Sequence, residues 1–125
     1  MAAMPVTRHQ ADSVIGIYKC LCDLNRLRIL NLLRMAPQCV CHIEQVLGIG
    51  AVRTSQQLAY LRRHGMVEVE VRGTWRIYSL PAKPSRELAA NLACLQDCVF
   101  DTKVFRADLA ALKRICGKAC LPESN

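Results

Sequence analysis

Eight cysteines mark the chain, at positions 20, 22, 39, 41, 94, 98, 116 and 120. Two Cys-x-Cys pairs lie in the first third and two Cys-x-x-x-Cys pairs in the last. Thiolates are soft ligands that suit Zn(II), Cd(II) and other thiophilic centres, and the same chemistry extends to As(III) and Sb(III). The opening MAAMPVTRHQ carries no apolar export signal. The even thiol count is therefore read as ligands, redox groups or core residues, not as disulfide staples. Cys39 and Cys41 are two apart, and on a regular helix such positions face different ways. Pro37 just upstream places them in or before an irregular first turn, where a helix N-terminus favours the thiolate. Cys94 and Cys98, like Cys116 and Cys120, are four apart, so on a helix the two members of each pair are neighbours. His42 is the one histidine beside a cysteine pair.

The elements that must hold these residues follow from hydrophobic periodicity. Val14, Ile17, Tyr18 and Leu21 predict a first helix over about 12–22. Asp23 is a candidate N-cap for a second, roughly 24–34. Pro37 breaks the chain, and a short third helix follows over about 40–47. Gly48-Ile49-Gly50 reads as a tight turn into a fourth helix, about 52–64, with Gly65 after its end. Val67 to Val71 and Trp75 to Leu80 alternate strictly, giving a hairpin. A fifth helix over about 85–99 and a sixth over about 102–116 complete the order. The sixth carries Phe105, Leu109, Leu112 and Cys116 in one stripe, which places Cys116 inward. The expected fold is mainly α with a two-stranded β-hairpin, and two short helices, a glycine turn and a basic hairpin suggest a winged helix-turn-helix. Residues 1–11 are expected to form an arm, 12–100 the winged domain, 101–120 a helical extension with a Cys pair, and 121–125 a tail.

Every basic residue between positions 23 and 80 is arginine: 26, 28, 34, 53, 62, 63, 72 and 76. The guanidinium fork holds phosphate or guanine with two hydrogen bonds. In such a motif the second helix enters the major groove by its N-terminal end, here Arg53, Thr54, Ser55, Gln56 and Gln57. Arg can read guanine and Gln adenine, while Arg72 and Arg76 on the hairpin would contact backbone phosphate. Trp75 and Tyr78 are expected to pin the wing to the body.

Four blocks together resemble the ArsR/SmtB family of metal- and metalloid-responsive transcriptional repressors. Tyr18 to Leu30 is similar to that family's first signature and Cys39-Val40-Cys41-His42-Ile43 to its metal box. Thr54 to Val67 resembles its recognition helix, and Arg72 to Leu80 its wing. The resemblance implies a homodimer through the first and last helices of the winged domain, bound to double-stranded operator DNA with an inverted repeat. It also implies metal or metalloid ligation at Cys39 and Cys41. Position 42 is His where the family commonly has Asp, and Glu44 stands where three-thiol arsenic sensors have a cysteine. A third ligand must then come from Cys20 or Cys22, the C-terminal pair of either subunit, or His42. Cys94-Leu95-Gln96-Asp97 replaces a zinc-binding stretch of the family's fifth helix, and a complete zinc site of that type is not expected. Cys20 and Cys22 occupy positions of small residues and read as packing.

Composition agrees with this class. The 125 residues are 52% hydrophobic and 22% charged, which is globular, and the net charge of +7, doubled in a dimer, favours an anionic partner. No run is long enough for a membrane span. The expectation is a cytoplasmic repressor, not an enzyme, released from its operator by As(III) or by Sb(III), Cd(II) or Zn(II). The alternatives are a repressor switched by a disulfide or persulfide at Cys94/Cys98 or Cys116/Cys120, and, more remotely, a metal-buffering protein.

Overall fold

The computed structural model describes residues 8–116. Among them the order is α1 (Arg8–Leu21), α2 (Leu24–Leu33), β1 (Gln38–Cys39), α3 (Val40–Leu47), α4 (Ala51–Arg63), β2 (Glu68–Arg72), β3 (Trp75–Ser79), α5 (Arg86–Cys98) and α6 (Lys103–Cys116). Helix α1 starts inside the segment expected to be an arm. Its first turn, Arg8-His9-Gln10, is polar and leaves no apolar period to read. The rest of the arm, the tail and Cys120 lie outside the described residues.

Local signals set the element ends. The Asp23 carboxylate accepts from the Arg26 backbone N–H and so caps α2. Ser85 caps α5 in the same way through Leu88. Between α3 and α4 the chain turns on Gly48 (φ 65°) and Gly50 (φ 90°, ψ 158°). The second of these lies in a region essentially reserved for glycine. Gly50→Ala is expected to cost about 1–3 kcal/mol, read as a lowered urea midpoint with an unchanged slope.

One buried cluster holds the winged domain together: Ile17 of α1, Ile29, Leu30 and Leu33 of α2, Ile43 and Leu47 of α3, Leu58 and Leu61 of α4, and Tyr78 of β3. Tyr78 pins the wing as expected, and Trp75 is half-buried. The sheet, however, has three strands, in the order β1-β3-β2 and antiparallel throughout. The extra strand is two residues long, with Gln38 opposite Tyr78 and Cys39 opposite Ile77. Two residues are too few to show alternation, so the sequence predicted only the hairpin.

Helix α6 is docked against the body. Phe105, Asp108 and Leu112 are its buried positions, and Leu112 joins Leu32 and Val46 in a second cluster with Leu109 and Ile115 alongside. Its anchor is polar. Asp108 receives Arg28 Nε at 2.7 Å and Nη2 at 3.0 Å, and the same guanidinium reaches the Val46 and Leu47 carbonyls at the end of α3. Asn31 adds a bond to the Phe105 carbonyl at 3.0 Å. These bonds tie α6 to α2 and α3 together.

Candidate thiol site and nucleic-acid interface

Cys39 ends β1 with extended backbone (φ −73°, ψ 152°) and serves as the N-cap position of α3. Because it precedes the helix, its side chain escapes the i, i+2 divergence and meets that of Cys41, with the sulfurs 2.7 Å apart. His42, in the first turn of α3 and 1% exposed, completes a group of three donor atoms within 4.8 Å of one another. Burial lowers the His42 pKa, which keeps the imidazole neutral and a ring nitrogen available as a donor. A tetrahedral centre with ~2.1–2.3 Å bonds spaces its ligands by roughly 3.5–3.8 Å. The three donors are therefore near ligand spacing but not at it: the two sulfurs are too close, and the group as a whole spans up to 4.8 Å.

A further thiol reaches His42 from the far end of the chain. Cys116, at the end of α6, places its sulfur 3.6 Å from His42 Nδ1 and 3.8 Å from Gln38 Oε1. It lies on the buried face of α6, one turn beyond Leu112, but is exposed, not buried as its stripe implied, because the helix ends there. Among the described residues, the thiols at 39, 41 and 116 and the imidazole at 42 thus gather where α3, α6 and the sheet meet.

The other described cysteines lie elsewhere. Cys20 is fully buried, and desolvation pushes its thiol up to about 11, with Arg26 partly opposing. It stays protonated at neutral pH and packs, as expected. Cys22 is exposed on the α1–α2 turn. Cys94 and Cys98 are exposed neighbours on α5, where the proximity of Cys94 raises the Cys98 thiol above its ordinary value.

Helix α4 and the wing form the basic face. Arg53, Ser55 and Gln56 are exposed at the start of α4. Thr54, expected to face DNA, is instead fully buried and donates to the Gly50 carbonyl at 2.7 Å, so it locks the helix start. Gln57 is half-buried, its carbonyl held by Arg26 Nη1 at 2.9 Å. Arg72 pairs with Glu70 at 3.0 Å on the outer wing. Arg76 lines a groove of about 530 Å³ with Ser55, Ala59, Arg62, Arg63 and Tyr78. Arg62 and Arg63 were not singled out from the sequence, although their i, i+7 and i, i+8 offsets from Ser55 place them on its face.

Three arginines are diverted inward. Arg26 bonds the Lys19 and Cys20 carbonyls and stacks over Tyr60 at 4.2 Å. Arg28 holds Asp108, and Arg34 bonds Asn31 and lies over Phe100 at 5.4 Å. The basic face belongs to the remaining five.

Residues 23–69 match the family model described as bacterial regulatory protein, arsR family. Solved structures agree over more of the chain. HlyU from Vibrio cholerae is 25% identical with a TM-score of 0.66, the match covering 74% of this chain and 98% of that one. The transcriptional repressor BigR from Xylella fastidiosa is 28% identical with a TM-score of 0.62, covering 76% and 93%.

The chain resembles the ArsR-family regulators in sequence over residues 23–69 and in fold over about three quarters of its length.

Its fold is the winged helix-turn-helix of those regulators. A further similar structure is the winged helix-turn-helix domain of Mb0332 from Mycobacterium bovis, solved as a homodimer. It is 28% identical, with a TM-score of 0.62, and covers 78% of this chain and 88% of its own. No curated protein matches the chain by sequence. None of the described helices is long and apolar enough to cross a membrane.

The groove between α4 and β3, lined by Arg62, Arg63 and Arg76, has the charge and the guanidinium donors that suit a phosphate backbone. Replacing Arg62, Arg63 and Arg76 by alanine should weaken binding to all duplexes alike. It should also flatten the slope of log K against log salt by ~0.9 for each phosphate contact removed. A salt titration of a labelled duplex checks both.

Proposed function

We propose that this ArsR-family regulator is a cytoplasmic homodimeric repressor that releases an inverted-repeat operator when a thiophilic metalloid or metal ion, foremost As(III), is captured by its thiols. The convergence of Cys39, Cys41 and His42, with Cys116 beside His42, carries the reading. The donor set fits a soft centre: sulfur donors supplemented by one neutral imidazole. What such a centre supplies is strong, directional bonds to sulfur. Everything else is done by the chain's own residues.

Cys39 and Cys41 straddle the junction between the wing's sheet and the helix-turn-helix. Cys39 lies in a strand bonded to β3, one residue from Arg76 in register, whereas Cys41 and His42 lie on α3, one glycine turn before α4. Drawing these donors to ligand spacing therefore changes the angle between β1 and α3. Arg53, Ser55 and Gln56 then shift relative to Arg72 and Arg76, and both sets must meet one duplex. Cys116 adds α6, so capture also draws a remote helix onto the hinge. Dimerisation through α1 and α5 would place two such units on two half-sites about one helical turn apart.

The test is a titration of arsenite, antimonite, Cd(II) and Zn(II) into a fluorescent operator complex, comparing wild type with serine replacements of each cysteine pair. Release that needs Cys39 and Cys41 supports the reading. Release that survives their loss overturns it.

A second reading is a thiol-redox repressor. It is favoured by the similarity to HlyU, one structure of which is described as reduced HlyU, and by the adjacent Cys94 and Cys98. The raised Cys98 thiol works against it, since the thiolate is the reactive form. Operator release by peroxide without any metal, with mass spectrometry showing the modified pair, would favour this second reading.

A further inference from the structure

Helix α4 carries one large apolar side chain that the fold does not use. The buried positions of the helix are Thr54, Leu58 and Leu61. Its exposed positions Val52, Ser55, Gln56, Ala59 and Arg63 recur at i, i+3, i+4, i+7 and i+11, so they share one face. Val52 is 71% exposed, more than any other large apolar residue among those described. A single exposed apolar side chain is ordinary on a protein surface. What sets Val52 apart is its company. Ser55, Ala59 and Arg63 of the same face line the basic groove with Arg76 of the wing, and α4 contains no acidic residue. The face is apolar at its N-terminal end, polar in the middle and cationic at its far end.

We propose that Val52 is a specificity-determining residue that reads the 5-methyl group of a pyrimidine in the major groove. The inference rests on the reading of this chain as a binder of double-stranded DNA. It adds a base feature that the polar residues of the same face do not recognise.

Thymine carries that methyl on its major-groove edge, and apolar side chains contact it there. Cytosine methylated at the same carbon presents the same group. Arg53, Ser55 and Gln56 are matched to hydrogen-bond donors and acceptors, so a methyl group gains nothing from them. Val52 lies in the first turn of α4, the end of a recognition helix that meets base edges. A valine pressed on phosphate would desolvate charge without a hydrogen bond in return, so only the base edges of a duplex reward it.

The side chain is also stiff. In a helix one χ1 rotamer dominates for valine, so little freedom is lost on docking. One methyl group buried against it should tighten binding about fourfold, the equivalent of one buried methylene. Two half-sites read by a dimer should give roughly fifteenfold.

The test uses the full-length protein and the duplex that it enriches from a randomised pool. In one arm each thymine in turn is replaced by uracil, which removes the methyl and keeps every hydrogen-bonding group. In the other, each cytosine in turn is replaced by 5-methylcytosine. Fluorescence anisotropy compares wild type with Val52→Ala and Val52→Ile, and circular dichroism checks that both variants are folded. Wild type should show a position in each half-site where the methyl tightens binding about fourfold. A position found in the first arm assigns thymine, and one found in the second 5-methylcytosine. Val52→Ala should lose most of that preference and Val52→Ile should keep it. Methyl effects that are absent, or equal in wild type and Val52→Ala, overturn the proposal and leave DNA binding standing. A Val52→Ala variant that changes the sedimentation of the free protein and not its methyl preference would assign Val52 to a contact between copies of the chain, which also overturns it. A protein that enriches no duplex overturns the DNA-binding reading, and this proposal with it.

Discussion

Asp108→Ala is expected to destabilise the fold by about 3–5 kcal/mol, because it strands a buried guanidinium. Arg28 and Asp108 are 15% and 7% exposed, and two nitrogens of the one reach both oxygens of the other. The hydrogen bond to Asp108 raises the Arg28 pKa, and even without that partner a guanidinium keeps its proton at any ordinary pH, so Arg28 cannot shed its charge. Against a typical total of ~5–15 kcal/mol, that loss brings the protein close to its unfolding threshold. Urea denaturation of wild type and Asp108→Ala measures it. Arg28→Met combined with Asp108→Leu should recover part of the loss, since a buried pair is often replaceable by apolar groups. Recovery should be incomplete, because the Val46 and Leu47 carbonyls also lose their donor. A loss below about 1 kcal/mol would mean that α6 does not rest on α2 in solution. Undocking α6 also removes Cys116 from His42, so the response to arsenite should suffer beyond the loss of stability.

The second large effect concerns signalling. Cys39→Ser combined with Cys41→Ser should leave operator affinity in the absence of ions within about twofold of wild type and abolish its decrease on adding arsenite. A coupling of ~1–3 kcal/mol between two sites corresponds to a 5–150-fold change in operator affinity. That is the change the double variant should lose. Linkage makes the test reciprocal: operator DNA should weaken arsenite binding to wild type by the same factor. Fluorescence anisotropy gives the first number, and calorimetric titration with and without operator the second. Retained release in the double variant would place the sensing thiols elsewhere.

The periodic parts of this molecule were legible in its sequence. Helix α3 falls on the expected 40–47, the Asp23 cap is as read, and the hairpin ends within a residue or two. Those features are local, written in spacing and capping chemistry. What sequence could not show depended on contacts across the chain. Cys116 meets His42 from 74 positions away, and no periodicity reports such a meeting. Asp108 drew no attention in the sequence, because its partner lies 80 positions upstream. The arginines were ambiguous for the same reason: composition counts charge, whereas only packing sends Arg26, Arg28 and Arg34 inward. Thr54 was assigned to the groove by analogy with its neighbours. A helix start exposes three sides and buries the fourth, and Thr54 is on the fourth.

The strand that carries Cys39 is two residues long. So brief a ladder has little cooperative reserve, and although Gln38 and Cys39 are buried it is expected to open before the helices do. On the proposed sensing role, the hinge is a segment expected to open while the helices around it stay closed. Exchange of the Gln38 and Cys39 amides should be fast in the resting repressor, and slowed once a ligand bridges Cys39 to α3.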